Sequence, residues 1–153
     1  MGSTYSSLHY HVVFGTKSRA SDIDPSWRAR LHEYLGGTLR GLGGLPLKIG
    51  GPADHVHGLI GLPTTQAVAG VVREWKKASS VWVHQEMGNR QFAWQEGYAV
   101  FTVSSTACRD VSRYIENQAE HHRKKSFREE VAEMLVKAGV AFDPRYLPPL
   151  RGE

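Results

Sequence analysis

The sequence has little that would tie it to an oxidising or a membrane setting. Its one cysteine, Cys108, cannot form an internal disulfide, so the expected compartment is a reducing cytoplasm. No stretch approaches the about 20 consecutive apolar residues that span a bilayer, and no membrane partner is expected. The N-terminus lacks the basic segment and apolar block of a secretory leader. Repeats, long linkers and composition breaks are also missing, which leaves residues 1–153 as one domain. Charge of one sign is only slightly in excess, at +4 with a pI near 9.3. Such a balance favours a polyanionic partner only where the basic groups cluster. What the chain does have is enough apolar residues for one real core, at 41%, and eight histidines, a rich supply of metal ligands and proton carriers.

Hydrophobic patterning sets the order of elements. "YSSLHYHVVF" alternates with Leu8, Tyr10, Val12 and Phe14 on one face and predicts a strand. Asp24 as N-cap and Pro25 at the first helical position open a helix carrying Trp27, Leu31, Leu35 and Leu39, ended by Gly41, Gly43 and Gly44. "LPLKIGG" predicts a short strand with Leu45, Leu47 and Ile49 on one face. "HVHGLIGL" predicts another, with Val56, Ile60 and Leu62 on one side and His55, His57 and Leu59 on the other. Thr64 or Thr65 is the expected cap of a second helix with Val68, Val71, Val72, Trp75 and Trp82 on its apolar stripe. "GYAVFTVS" predicts a fourth strand. A helix from about Thr106 to His122 follows, then one around "REEVAEMLVKAG" stopped by Gly139, and a Pro-rich tail along the surface. This order is that of an α+β, ferredoxin-like (RRM-like) split βαβ sheet, antiparallel, with both crossover helices on one face and a C-terminal helical addition. The sheet and its helices are expected over about residues 5–104 and the added helices over about 105–153. Such a fold hosts many functions, so function has to come from the residues of a site.

Residues i and i+2 of a strand project from the same face, so His55 and His57 can converge on one metal ion, with Asp54 able to orient a ring. Two solvated histidines are the bland alternative, which the apolar "GLIGL" around them disfavours. On the third helix Ala107, Val111, Ile115 and Ala119 set the apolar face. Gln118 falls near that line and Tyr114 at its edge, four residues apart and stacked as neighbours. A Tyr and a Gln facing inward want a polar partner there. Basic residues cluster at Lys17 and Arg19, along the second helix at Arg73, Lys76, Lys77 and His84, and in "HHRKK" at 121–125. Three clusters make a phosphate-backbone track plausible beside the usual alternative of solvated faces.

The His55-Val56-His57 run inside "DHVHGLIGLP", together with "YIENQAEHHRKKSFREEV", resembles the single-tyrosine HUH transposases of insertion sequences, in particular the REP-associated tyrosine transposase (IS200-like) branch. "YHVVFGTKSR" and "WQEGYAVFTVS" resemble the family's first strand and the strand before its tyrosine helix. The resemblance implies that His55 and His57 bind Mg²⁺ or Mn²⁺, that Gln118 is the third ligand and that Tyr114 is the nucleophile. The tyrosine would attack single-stranded DNA near a hairpin, form a 5′-phosphotyrosine and free a 3′-OH for strand transfer. It also implies a homodimer in which the tyrosine can serve either subunit's histidines. Lys17, Arg19, Arg73, Lys76 and Lys77 are the expected DNA phosphate contacts. A phenol with a pKa of about 10 is a weak nucleophile at neutral pH, and a metal that polarises the scissile phosphate would compensate. Two other functions compete. A metal-dependent hydrolase using the same pair would need His84 or Cys108 as a further ligand. A non-catalytic RRM-like nucleic-acid-binding module would stack bases on strand aromatics, which "HVHGLIGL" lacks.

Overall fold

A computed structural model describes residues 2–18, 21–118 and 124–148. Strand β1 spans His9–Gly15, α1 Pro25–Gly41, β2 Leu45–Gly50, β3 His55–Gly61, α2 Val68–Glu86, β4 Ala99–Val103, α3 Cys108–Glu116 and α4 Phe127–Lys137. The strands lie in the order β2-β3-β1-β4 and every pair is antiparallel. This is the ferredoxin-like arrangement, with α1 and α2 as its crossovers.

Alternation divides the sheet into two chemically different faces. Val12, Phe14, Val56 and Ile60 meet Leu31, Leu35 and Leu39 of α1 and Val71, Val72 and Trp75 of α2 in the main core. Polar groups inside it are paired, as burial demands. Trp75 Nε1 donates to Leu35 O at 2.8 Å, and Trp94 Nε1 donates to Ser79 Oγ at 2.9 Å. On the opposite face Val13 packs under Phe127 and Val131 of α4, and Leu59 and Val103 pack under Ile115 of α3. The C-terminal addition therefore covers the face that carries the two histidines. No helix among the described residues is long and apolar enough to cross a membrane.

Local signals explain most of the boundaries. Asp24 caps α1 through Ser26 N at 2.8 Å, with Pro25 at its first position. Ser126 caps α4 by accepting from Glu129 N, and its hydroxyl also meets the Glu129 carboxylate. Three expectations are corrected. Thr64 and Thr65 form a turn, and α2 begins later, behind Ala67, with no side-chain cap. A β-bulge in β2 shifts the register between Pro46 and Lys48, so Leu45, Leu47 and Ile49 do not share a face. Ile49 reaches the main core, while Leu45 is exposed. The third helix is also shorter than expected. A 3-10 turn at Ser105–Ala107 precedes α3, which ends at Glu116 with Asn117 outside helical geometry. Ala119, His121 and His122 lie outside the described residues, as does Arg19.

His32 of α1 is a buried group with a consequence for stability. Burial first, and then Arg28 and Lys48, hold its pKa at about 4 instead of 6.5. The unfolded chain binds this proton more readily, so the stability it contributes is full above pH 6.5 and is lost as pH falls toward 4. Between pH 7 and 4.5 the expected loss is about 2–3 kcal/mol. Urea unfolding at the two pH values should show a smaller loss in His32→Gln than in wild type. Equal losses would remove His32 from the account.

Candidate active site

The site is built where β3 runs under α3 and α4. His55 and His57 lie on the same face and are fully buried. In the sheet register His55 is opposite Gly15 and His57 opposite Val13. Gly15 is needed for a close approach, since a Cβ there would come within 2.5 Å of the Phe127 ring. That ring stacks on His55, with centroids 4.0 Å apart and planes 8° from parallel. One small residue on β1 thus lets α4 descend onto the first histidine.

Four donor atoms then converge. His55 Nε2 is 3.1 Å from His57 Nε2, 3.1 Å from Gln118 Oε1 and 3.2 Å from Glu130 Oε1. Glu130 Oε1 is also 3.1 Å from His57 Nε2. The second carboxylate oxygen of Glu130 accepts from the Tyr114 hydroxyl and from Gln118 Nε2. The Tyr114 ring stands edge-on to His57 at 5.8 Å. Behind the first ring, Asp54 Oδ1 lies 2.7 Å from His55 Nδ1, and behind the second, His11 Nε2 lies 2.7 Å from His57 Nδ1.

The proton inventory shows what this arrangement lacks. Asp54 can only accept, so His55 Nδ1–H donates to it and Nε2 presents a lone pair. That lone pair faces the carbonyl oxygen of Gln118 and a carboxylate oxygen of Glu130, both acceptors. Burial presses the His55 pKa down, but hydrogen bonds and charge from Asp54 and Glu130 outweigh it and hold the ring above the ordinary histidine value. His11 goes the other way. Burial and then His57 push it to about 3, against a smaller pull from Glu130, so it stays neutral as an orienting partner. A cluster of inward-facing acceptors that raises its own histidine pKa is a site that wants positive charge. Octahedral coordination at about 2.1 Å puts neighbouring ligands roughly 3 Å apart. The observed 3.1–3.2 Å spacings match that edge length. The residues present therefore fit a divalent cation, with His55, His57 and Glu130 grouped as its donors and the Gln118 oxygen beside them.

Tyr114 is half-buried, and burial, then the hydrogen bond and charge of Glu130, push its pKa above the ordinary phenol value. The phenol keeps its proton here, with the acceptor for that proton already in contact.

Of the residues expected from sequence, His55, His57, Gln118 and Tyr114 meet in one cluster within one chain. Glu130 and His11 were not expected there. Glu130 sits in "FREEV", where a first-turn acid suits the helix dipole. A subtler signal is its place on the stripe of Phe127, Val131 and Met134, at i+3 and i+4 spacing. His11 has the matching signal, since it alternates with Val13 on the face of β1 that meets α4. The basic candidates do not join the cluster. Arg73 and Lys77 are exposed on α2, across the sheet from the histidines. Lys17 is exposed just past the end of β1 that pairs with His55. Lys76 is half-buried and donates to the carbonyls of Gln95 and Gly97, pinning the loop before β4. The ligands a separate hydrolase would need are also elsewhere. His84 Nε2 bonds Phe92 O at 2.7 Å, and Cys108 Sγ bonds Ser104 O at 3.6 Å.

Known proteins are similar to this chain in sequence and in fold. Residues 4–118 match the family described as "Transposase IS200 like". A crystal structure of a candidate transposase from Deinococcus radiodurans R1 is similar at a TM-score of 0.62 and 25% identity, covering 77% of this chain and 96% of that one. A REP-associated tyrosine transposase bound to a REP hairpin is similar at a TM-score of 0.59, covering 100% of this chain and 93% of that one. At 14% identity the second likeness is one of fold. No curated protein sequence matches significantly.

Proposed function

The chain belongs to the IS200-like transposase family, and from that premise we propose that it cleaves and rejoins single-stranded DNA beside hairpins, with Tyr114 as the nucleophile. The observation that carries this is the Tyr114 hydroxyl bonded to Glu130 within the cluster formed by His55, His57 and Gln118. Tyr114 Oη attacks the scissile phosphorus. An Oη–P bond forms, the P–O3′ bond breaks, and the phenolic proton passes to the Glu130 carboxylate. The departing 3′ oxygen takes a proton from solvent and leaves as a 3′-OH. Attack by a 3′-OH on the phosphotyrosine reverses these changes and rejoins a strand. His55, His57, Gln118 and Glu130 would hold Mg²⁺ or Mn²⁺, whose charge would offset that of the scissile phosphate and the leaving oxygen. Asp54 and His11 keep the two imidazoles turned with Nε2 inward.

Lys17, Arg73 and Lys77 are exposed and are the proposed contacts to the hairpin backbone. One chain brings tyrosine and histidines together, so catalysis in cis needs no exchange, and a homodimer would add the option of exchanging α3. A cytoplasmic location is part of this reading, in keeping with the lone cysteine. The test is incubation with end-labelled single-stranded DNA carrying a hairpin, in Mn²⁺ or Mg²⁺, followed by a denaturing gel. A protein–DNA adduct that EDTA prevents is the expected result. Cleavage with no adduct would point to a water nucleophile, and binding with neither to a non-catalytic module.

A further inference from the structure

Beside the histidine cluster, around the end of β2, lies a cavity of about 270 Å³. It is smaller than the about 300–1,000 Å³ of small-molecule sites, with room for one charged group. Its wall combines Arg28 and His32 from α1, Lys48 from β2, and Ile115, Glu116 and Gln118 from the α3 side. None of the three basic residues belongs to the clusters evident along the sequence. They come together only because the edge strand β2 is sandwiched between α1 and α3.

Arg28 and Lys48 are the two cations of the wall, and His32, which burial keeps neutral at pH 7, can offer a ring N–H. Arg28 donates through Nε and Nη2 to Ile23 O, at 3.2 and 2.7 Å, which fixes its guanidinium at the cavity wall. Lys48 faces Glu116 at 3.5 Å in a partly exposed pair, the kind of contact that contributes little and exchanges readily. His32 carries a buried Nε2 with no hydrogen-bond partner, a cost that a ligand oxygen would relieve. Gly51 has φ +141, and a Cβ there would come within 2.4 Å of His55 O, so the turn that shapes the cavity runs close against the backbone of His55. Gln118 forms part of the wall and also touches His55 Nε2 at 3.1 Å. One side chain thus links the cavity wall to the histidine cluster.

We propose that Arg28, His32 and Lys48 form a subsite for a backbone phosphate of single-stranded DNA, adjacent to the scissile position. This rests on the transposase reading. The incoming phosphate replaces Glu116 as the partner of Lys48, meets the guanidinium of Arg28 and accepts from His32. It thereby sets which phosphodiester of the strand comes to rest over Tyr114.

The test measures binding without chemistry. Full-length protein is titrated into a fluorescein-labelled hairpin with a single-stranded flank, in EDTA, across a salt series, by anisotropy. Lys48→Gln should weaken binding about 3–10-fold and lower the slope of log K against log salt by about 0.7, the single-strand value for one phosphate. Glu116→Gln should do the reverse and tighten binding. Arg28→Gln should act like Lys48→Gln, and Lys48→Gln serves alone if the arginine variant misfolds. Flanks with one uncharged methylphosphonate then locate the contact. At one position neutralisation should cost wild type affinity and cost Lys48→Gln nothing further. Unchanged affinity and slope in Lys48→Gln and Glu116→Gln would overturn the subsite, as would a Lys48 effect equal at every methylphosphonate position. In either case wild type still binds DNA and forms its adduct, and only the subsite fails. Wild type that neither binds nor forms an adduct overturns the transposase reading itself.

Discussion

Tyr114→Phe should abolish covalent capture of DNA while leaving the fold in place. The phenyl ring keeps its edge-on packing against His57 and its place beside Val111 and Ile115. What is lost is the hydroxyl, with its hydrogen bond to Glu130. That change is expected to alter stability by about 1 kcal/mol. The proposed chemistry loses its attacking atom, so adduct formation should fall by at least about 10³-fold, the scale seen when an enzyme nucleophile is removed. A denaturing gel measures the adduct, and a thermal melt reports the fold. A persisting adduct would mean that another side chain attacks. Persisting cleavage without an adduct would mean that water does.

Glu130→Gln should be almost as damaging, although the sequence marks the residue only by its place on the stripe of Phe127, Val131 and Met134. Glutamine keeps an oxygen that can accept from Tyr114 but cannot take its proton, and it removes a negative charge that faces both His55 and His57. Loss of a proton acceptor costs about 10²–10⁴ in rate. Loss of the charge should weaken Mn²⁺ binding, measured by calorimetry, by about 10–100-fold, the scale of changes around metal sites. The two readouts separate the two roles. Slow adduct formation with full Mn²⁺ affinity would leave Glu130 as a proton acceptor alone. Wild-type behaviour in both would reduce it to a packing residue of α4.

How far the site was legible depended on whether its residues obey a local period. His55 and His57 are two apart on a strand, and that spacing alone puts them on one face. Tyr114 and Gln118 are four apart, and the amphipathic pattern of Val111 and Ile115 turns them inward. Asp24-Pro25 announces a helix start through chemistry confined to one turn. The β2 bulge was hidden because "LPLKIG" alternates well enough to pass as a regular strand. The register shift appears only against β3, whose Gly58 and Leu59 pair with Ile49 and Lys48. Thr64 and Thr65 are good capping residues that the chain uses for a turn after Pro63, where Gln66 N bonds Pro63 O at 3.2 Å.

By itself, then, the sequence determined the order of elements, the two-faced sheet, the paired imidazoles and the helix that carries the tyrosine, because each rests on spacings of two to four residues. Tertiary structure decided which groups those side chains meet. Glu130 lies 73 residues from His57 along the chain, and His11 lies 46 away. Only the docking of α4 through Phe127, into the space that Gly15 leaves, brings a carboxylate between the histidines and the phenol. Contacts of that range follow from how faces pack, and no local period in the chain encodes them.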